Sequence, residues 1–363
     1  MTDIHVLKAR EQWNNGTVKT IGIDCRFAGT RSGLGRYTRA IVTELLQRND
    51  PVQYVLFVRS EKEEWTHNIK LLADCRLQVA NFAHFSIAEQ ILFPRVLRSS
   101  GSDLLFSPHF TVPLLCPVPF VATVHDLILH RFPGNASRLR RFAYRIQMAM
   151  TMRRAKAILA VSSCTALEIG GTYGSSVHRK CHVTGEGVDE EFAPASVASV
   201  AAIRTRYHLK DPFFLYVGSR KKHKNVPLLL EAFRAIQETN RQLVLVMPEA
   251  PCHPLPANVV HLPNISEEDL PALYSAAECF VTASLYEGYC LPVAEALSCG
   301  CPVIAHNRTA IPETAAGHAM LIEPTLEDWK AAMMSPPKRP VHFTRPSWKE
   351  AAKNTAKVLM EVG

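Results

Sequence analysis

Glu287 and Glu295 stand on either side of Gly288-Tyr289-Cys290-Leu291-Pro292, a run that reads as a tight loop entering a helix. Proline suits a first helical turn, where its missing N–H would have had no intrahelical acceptor. The N–H groups of Tyr289, Cys290 and Leu291 then point out of a helix start whose dipole favours an anion. Carboxylates flanking such a site can accept hydrogen bonds from sugar and ribose hydroxyls. The pattern fits a phosphorylated, hydroxyl-rich ligand, and Ser298-Cys299-Gly300-Cys301-Pro302-Val303 leads the chain back into a strand.

Three other segments have the composition of a site. Gly218-Ser219-Arg220-Lys221-Lys222-His223-Lys224-Asn225 follows an apolar strand. Its cations can neutralise charge growing on a departing diphosphate, although the same residues also fit a solvated loop. His125 follows the strand Phe120–Val124 directly, and is either a cleft-facing group or a satisfied structural histidine. Gly29-Thr30-Arg31-Ser32-Gly33-Leu34-Gly35-Arg36 joins a strand ending at Asp24 to a helix. Gly33 and Gly35 there permit a ligand close to the backbone. The dinucleotide fingerprint is not met, because Thr38 stands where its third glycine belongs, and no Walker lysine follows. The chain has no Asp-x-Asp pair and no Cys/His set at zinc spacing, so no metal site is read.

The elements that must hold these residues alternate. Strands are predicted at Thr20–Asp24, Val52–Val58, Leu104–Ser107, Phe120–Val124 and Ala157–Val161, with helices at Arg36–Gln47, Ile87–Arg98 and Ser137–Met152. The theme repeats with strands Phe213–Val217, Leu243–Met247, Val259–Leu262, Cys279–Thr282 and Pro302–Ala305. The helices among them are Val226–Glu238, Ser266–Ala276 and Leu291–Ser298. Such alternation predicts an α/β fold of two Rossmann-like domains, parallel sheets facing across a cleft, with ligands beyond the carboxyl ends of the strands. The break falls in Pro194–Pro212, giving one domain over 18–195, a second over 212–346 and a last helix over 347–363. Ser347-Trp348-Lys349-Glu350 is a capping-box pattern, and Trp348, Ala351, Ala352, Thr355, Leu359 and Val362 follow at helical spacing. That helix either crosses back to the first domain or packs on its own.

Composition bounds the rest. In 363 residues, 47% are hydrophobic and 20% charged, which excludes general disorder. The net charge of +8 suits anionic ligands or surfaces. The longest charge-free apolar stretch, Leu104 to Val124, holds His109 and four prolines and is a poor membrane span. The first twenty residues lack an apolar h-region, and the ten cysteines are scattered, so a reduced cytoplasmic protein is expected. Arg131 to Arg154 carries seven arginines and no acid, with Leu139, Phe142, Ala143, Ile146, Ala149 and Met150 at helical spacing. One reading buries that apolar stripe in the core and turns the arginines to solvent. The other has Arg138, Arg140, Arg141 and Arg145 meet an anionic membrane or a lipid-linked acceptor. Nucleic acid is not expected, because aromatic residues are not interleaved with the cations.

Together these segments resemble the nucleotide-sugar-dependent glycosyltransferases of family 4, which have the GT-B fold. The resemblance runs from about Ile21 to Val362 and is most specific at Glu287 to Glu295, the family's E-x7-E element, followed by Gly300-x-Pro302-Val303. Gly33-Leu34-Gly35-Arg36-Tyr37, His125-Asp126-Leu127, Val161-Ser162-Ser163, Gly187-Val188-Asp189 and Val217-Gly218 through Lys224-Asn225 support it. It implies that Glu287 binds donor-sugar hydroxyls, Glu295 the ribose and Lys224 the phosphates. It also implies that the amides of Tyr289, Cys290 and Leu291 line the diphosphate, that Gly33–Gly35 closes over it, and that His125 sits beside the reacting sugar.

The implied activity is retaining hexosyl transfer, without cofactor or metal, from GDP-mannose or a UDP-hexose to a glycan or lipid-linked acceptor. Cell-surface polysaccharide, lipopolysaccharide or glycolipid would be the product, made in the cytoplasm or at the inner face of the membrane. A non-catalytic binding subunit and another nucleotide-sugar enzyme, such as an epimerase, are the alternatives. Ser219 and Arg220 depart from a more usual Gly-Arg turn, in a form shared with several mannosyltransferases. Cys290 replaces a usual glycine. Glu323–Ser347 is short and proline-rich, which predicts loss of a helix present in relatives.

Overall fold

The computed structural model describes residues 19–362 except 31, 49, 73–74, 237–239, 252–253 and 341. The leader reading of the first residues, Arg31 of the glycine loop, the expected helix end at Glu238 and the final residue Gly363 lie outside the described residues. In the first half, β1 (Lys19–Asp24), β2 (Val52–Val58), β3 (Arg76–Val79), β4 (Leu104–Ser107), β5 (Phe120–Val124), β6 (Ala157–Ala160) and β7 (Cys181–Val183) form one sheet. Its order is β3-β2-β1-β4-β5-β6-β7. In the second half, β8 (Phe213–Val217), β9 (Gln242–Val246), β10 (Val259–Leu262), β11 (Cys279–Thr282), β12 (Val303–His306) and β13 (Met320–Ile322) form another, in the order β10-β9-β8-β11-β12-β13.

Every pairing in both sheets is parallel. Strands such as β5 and β11 are buried at every residue, as a parallel sheet covered on both faces requires. The strand order reverses between β1 and β4 and between β8 and β11. Those are the crevices where ligands bind in such sheets, and the glycine loop, the basic turn and the Glu287 loop all leave them.

Three strands escape the sequence reading: β3, β7 and β13. All are three or four residues long, stand at a sheet edge and hold no fully buried residue, so they are too short and too exposed to stand out as strands. The expected loss of a helix in Glu323–Ser347 is corrected. Leu326–Met334 is helical, capped by Thr325 Oγ1 accepting from Asp328 N at 3.1 Å and anchored by buried Trp329 and Met333. The prolines act only beyond it.

The last helix, Trp348–Val362, crosses back to the first domain. Trp348, Ala352, Ala356 and Leu359 share one core with Ile21, Ile23, Tyr37 and Ile41. Two strands of chain run side by side at the crossing, joined by Val188 N donating to Pro346 O at 2.9 Å and Trp348 Nε1 donating to Asp189 Oδ1 at 2.7 Å. A Cβ at Gly187 would lie 2.3 Å from Trp348 N, so only glycine lets the segments touch.

The basic helix Arg138–Arg154 overturns the expectation that its apolar stripe is core. Leu139, Phe142, Ile146 and Met150 are exposed, and Tyr144, Gln147, Met148, Thr151 and Met152 face inward. The cause is polar: the loop beneath presents two carbonyls. Gln147 Nε2 donates to Val112 O at 2.5 Å and Thr151 Oγ1 to Phe110 O at 2.9 Å, which fixes the buried face.

Candidate active site

Lys224 and Glu287 meet at 2.6 Å, Nζ to Oε1. Local backbone brings them together. After β8 the chain makes a single 3₁₀ turn over Lys222–Lys224 and leaves it through Asn225 in the left-handed region, φ 52°. His223 O accepts from Leu285 N at 2.7 Å and Ser284 Oγ at 3.3 Å, tying the basic turn to the loop that carries Glu287. Glu287 N donates to Thr309 Oγ1 at 3.0 Å. Burial disfavours the Lys224 ammonium, but the Glu287 carboxylate outweighs it, and the amine is held above its ordinary value. Lys224 is therefore a fixed cation at neutral pH.

Cys290 takes φ 83°, the conformation glycine would adopt, immediately before the helix Leu291–Ser298. A non-glycine residue costs about 1–2 kcal/mol in that region. The amides of Tyr289, Cys290 and Leu291 donate to no protein acceptor among the described residues. One turn into the helix, buried Glu295 accepts from Tyr274 OH through Oε2 at 2.9 Å. Its Oε1 lies 2.7 Å from a guanidinium nitrogen of Arg36, which reaches over from the first domain. Oε1 is thus held by this cross-cleft ion pair. Burial pushes the Glu295 carboxyl above its ordinary value despite Arg36 and Tyr274.

On the facing domain, both ring nitrogens of His125 are engaged. Nε2 lies 2.9 Å from Pro108 O, which can only accept, and Nδ1 lies 3.0 Å from Glu186 Oε1. The edge of Tyr37 packs on the ring at 4.5 Å. Burial works against charge on the imidazole, but Glu186 and the Pro108 carbonyl hold it above its ordinary value. The side chain is thus turned to its own domain. The His125 carbonyl, in contrast, presses on Gly288, where a Cβ would stand 1.7 Å from the oxygen. Ser162 Oγ and Thr165 Oγ1 donate to Gly288 O at 2.6 and 3.1 Å. Glu313 of the second domain accepts from Ser163 N and Cys164 N at 2.8 and 3.1 Å. The cleft is closed around the Glu287 loop.

The remaining expected residues separate. Gly35 serves packing, since a Cβ there would lie 2.1 Å from Thr30 O, whereas Gly33 has open space. Ser219 O accepts from Tyr216 OH at 2.7 Å. Arg220 is exposed, and with Lys221 and Lys222 it lines a cavity of about 800 Å³ against Pro227, Leu230 and Met247. Neither Lys224 nor either glutamate of the pair lines that cavity, so the basic turn splits, Lys224 inward and Arg220 outward. Sequence reasoning gave no role to Arg36, Glu186, Tyr274 or Thr309. Arg36 and Glu186 adjoin motifs already noted, Gly33-Leu34-Gly35 and Gly187-Val188-Asp189; Tyr274 and Thr309 carry no local mark. Among the described residues no group of three or more His, Cys, Asp or Glu is arranged to hold a metal.

Comparison with known proteins matches both halves. Residues 31–192 match the description Glycosyltransferase Family 4, and residues 204–354 match Glycosyl transferases group 1. The chain belongs to the family 4 glycosyltransferases. This glycosyltransferase is 26% identical over 324 residues to O-antigen chain mannosyltransferase B of Escherichia coli, across 81% of this chain and 83% of that one. WaaG, a glycosyltransferase involved in lipopolysaccharide biosynthesis, superposes with a TM-score of 0.66 at 15% identity, over 93% of this chain and 95% of that one. Anabaena HepE, solved with UDP and glucose, gives 0.65 at 15% identity, over 94% and 95%. These structures share the two-domain GT-B fold with the transferase. No helix among its described residues is long and apolar enough to cross a membrane.

Proposed function

We propose that the transferase moves a mannosyl group from GDP-mannose to a glycan or lipid-linked acceptor, with retention, in the assembly of a cell-surface polysaccharide. The observation that carries this reading is the Lys224–Glu287 pair beside a helix start with unused amides. Donor phosphates fit those amides and Lys224, whose positive charge the Glu287 carboxylate secures against burial. Glu287 can exchange one lone pair from Lys224 to a sugar hydroxyl, and Glu295 Oε1 can likewise exchange Arg36 for a ribose hydroxyl. In the transfer the bond from the anomeric carbon to the phosphate oxygen breaks, and the diphosphate leaves with the electron pair. The acceptor hydroxyl forms the new glycosidic bond and loses its proton. Fixed cations and preorganised amides lower this barrier as charge grows on the leaving group. Metal independence belongs to the same reading, because Lys224 and the helix start supply that charge stabilisation. Mannose is supported by the Escherichia coli relative's name and by the Gly218-Ser219 form of the turn. Peripheral contact of Arg138, Arg140, Arg141 and Arg145 with an anionic membrane completes the proposal.

A thermal-shift panel of nucleotide sugars tests the donor, since a ligand at 100 times its Kd adds about 2.7 kcal/mol. GDP-mannose should give the largest shift and should be turned over in EDTA. A larger shift with UDP-glucose would remove mannose. Turnover lost to EDTA and restored by Mn²⁺ would remove metal independence.

A further inference from the structure

The cavity of about 800 Å³ outside the basic turn has no part in the donor reading. It lies on the other face of the second sheet. The helix of Glu295 buries Val293 and Ala294 in one core with Phe213 and Leu215 of β8. The helix Val226–Ala235 buries Leu229 and Phe233 in another core with Phe214 and Tyr216, whose side chains leave the same strand on the opposite side. That second helix walls the cavity with Leu230, Glu231 and Arg234. Met247 and Leu255, beyond the end of β9, form the facing wall. Lys221 and Lys222 stand at the end where the helix begins. Arg220 N donates to Glu249 Oε2 at 3.1 Å, which ties the basic turn to the chain of the facing wall.

Two chemical demands meet in this space. Met247 is buried and Leu230 and Leu255 are half-buried, and together they offer apolar surface. The charges are unevenly placed. Arg234, near the far end of the helix, has Glu231 less than a turn away, whereas the lysines have no carboxylate among the described residues that line their end. A cavity of this size, mostly apolar with a few polar groups in one place, has the form of a small-molecule site. Lysine meets phosphate as a point charge. An uncharged sugar would leave the lysines unmatched, and a plain hydrocarbon would strip them of water without replacing it.

We propose that this cavity is a second ligand site, separate from the donor's, for a small soluble phosphomonoester with an apolar body, and that its occupant weakens donor binding. The phosphate meets Lys221 and Lys222, and the apolar body lies between Leu230 and Met247. The coupling follows from the short segment that divides the two sites. Lys222 lines the cavity, Lys224 meets Glu287 at 2.6 Å, and His223 O between them accepts from Leu285 N at 2.7 Å. Anions on both sides of one turn repel each other, and the loss of affinity is reciprocal. The site stands without the donor reading, while the coupling rests on donor phosphates meeting Lys224.

Isothermal titration of the full chain tests both parts, with hexyl phosphate as the probe and inorganic phosphate and hexanol as its separate halves. Hexyl phosphate should bind a single site, more tightly than either half. Lys222→Gln should weaken it roughly tenfold, the scale of losing one hydrogen bond to a charged group. Leu230→Gln should remove most of its advantage over inorganic phosphate while donor hydrolysis, measured without the probe, stays at the parental rate. Leu255→Gln probes the facing wall in the same way if Leu230→Gln does not fold. Adding GDP should raise the probe's apparent Kd a few-fold to a plateau, and the step should shrink at about 0.5 M NaCl, where exposed charges are screened. Hexyl phosphate that binds no better than inorganic phosphate, or equally well to the parent and both the lysine and leucine variants, overturns the site. A Kd that rises in proportion to GDP without a plateau places the probe in the donor site and overturns it too. A Kd unmoved by GDP that does bind overturns the coupling, whereas a chain that binds the probe and no nucleotide counts against the proposed function instead.

Discussion

Lys224 and Glu287 neutralise each other at 2.6 Å, so neither can be removed without stranding its partner. Lys224→Ala takes a cation from the departing diphosphate and should lower kcat by roughly 10²–10³, the scale of losing an oxyanion-type donor. Glu295→Ala removes hydroxyl contacts that change little during reaction and should mainly raise donor KM. Combining Lys224→Ala with Glu287→Gln should cost clearly less than the two single losses added, since contacting groups couple. Additive kinetics would place the two groups in separate roles. His125 gives a pH signature. Burial opposes its charge, but Glu186 and Pro108 raise the folded value above 6.5. Its contribution to stability is therefore complete below the unfolded value and is lost as pH rises through the folded one. Melting followed across that window should show Tm falling with pH, and His125→Gln should flatten the fall. A parent and variant with parallel profiles would show that the Glu186 contact does not hold the proton.

At the scale of elements, the Trp348–Val362 helix belongs by sequence to the second domain and by packing to the first. Trp348 is buried in the first core and bonded to Asp189 at 2.7 Å. Trp348→Ala should cost about 3–5 kcal/mol, read as a lower denaturation midpoint. A loss under 1 kcal/mol would mean that the helix adds little to that core. The helix was legible because its cap and apolar spacing are local, whereas its destination depends on what lies across the junction. The same distinction runs through the chain. Interior strands such as Phe213–Val217 announce themselves as apolar runs of five or more residues; the three-residue edge strands Cys181–Val183 and Met320–Ile322 are too short to do so. The carboxylate pair, the basic turn and His125 were readable from residue type and position. The ring of His125 turning to Glu186, the outward path of Arg220 and the outward stripe on Arg138–Arg154 were not. The first and the last are set by partners distant in sequence, Glu186 and the carbonyls of Phe110 and Val112.

The two domains meet around the Glu287 loop. Gly288 touches the His125 carbonyl, Tyr286 OH accepts from Leu127 N at 2.7 Å, and Arg36 reaches the buried Glu295. Of these contacts, only the last brings the charge of one domain to a buried carboxylate of the other, the one proposed to bind the ribose. Arg36 thus neutralises Glu295 across the cleft while the ribose hydroxyls are elsewhere. Arg36→Met keeps much of the side chain's length and removes the charge. It leaves a buried carboxylate unpaired, a loss on the order of 3–5 kcal/mol when a buried pair is broken from one side. The molecule can relieve this by opening, which returns Glu295 to water. Small-angle scattering of the donor-free variant should therefore show a larger radius of gyration than the parent, and saturating nucleotide sugar should bring the two together. Arg36→Met combined with Glu295→Gln should close again without donor, because no buried charge is left to hydrate. If the single variant scatters like the parent, the closed state is held by the neutral contacts around Gly288, and Arg36 does not control the opening.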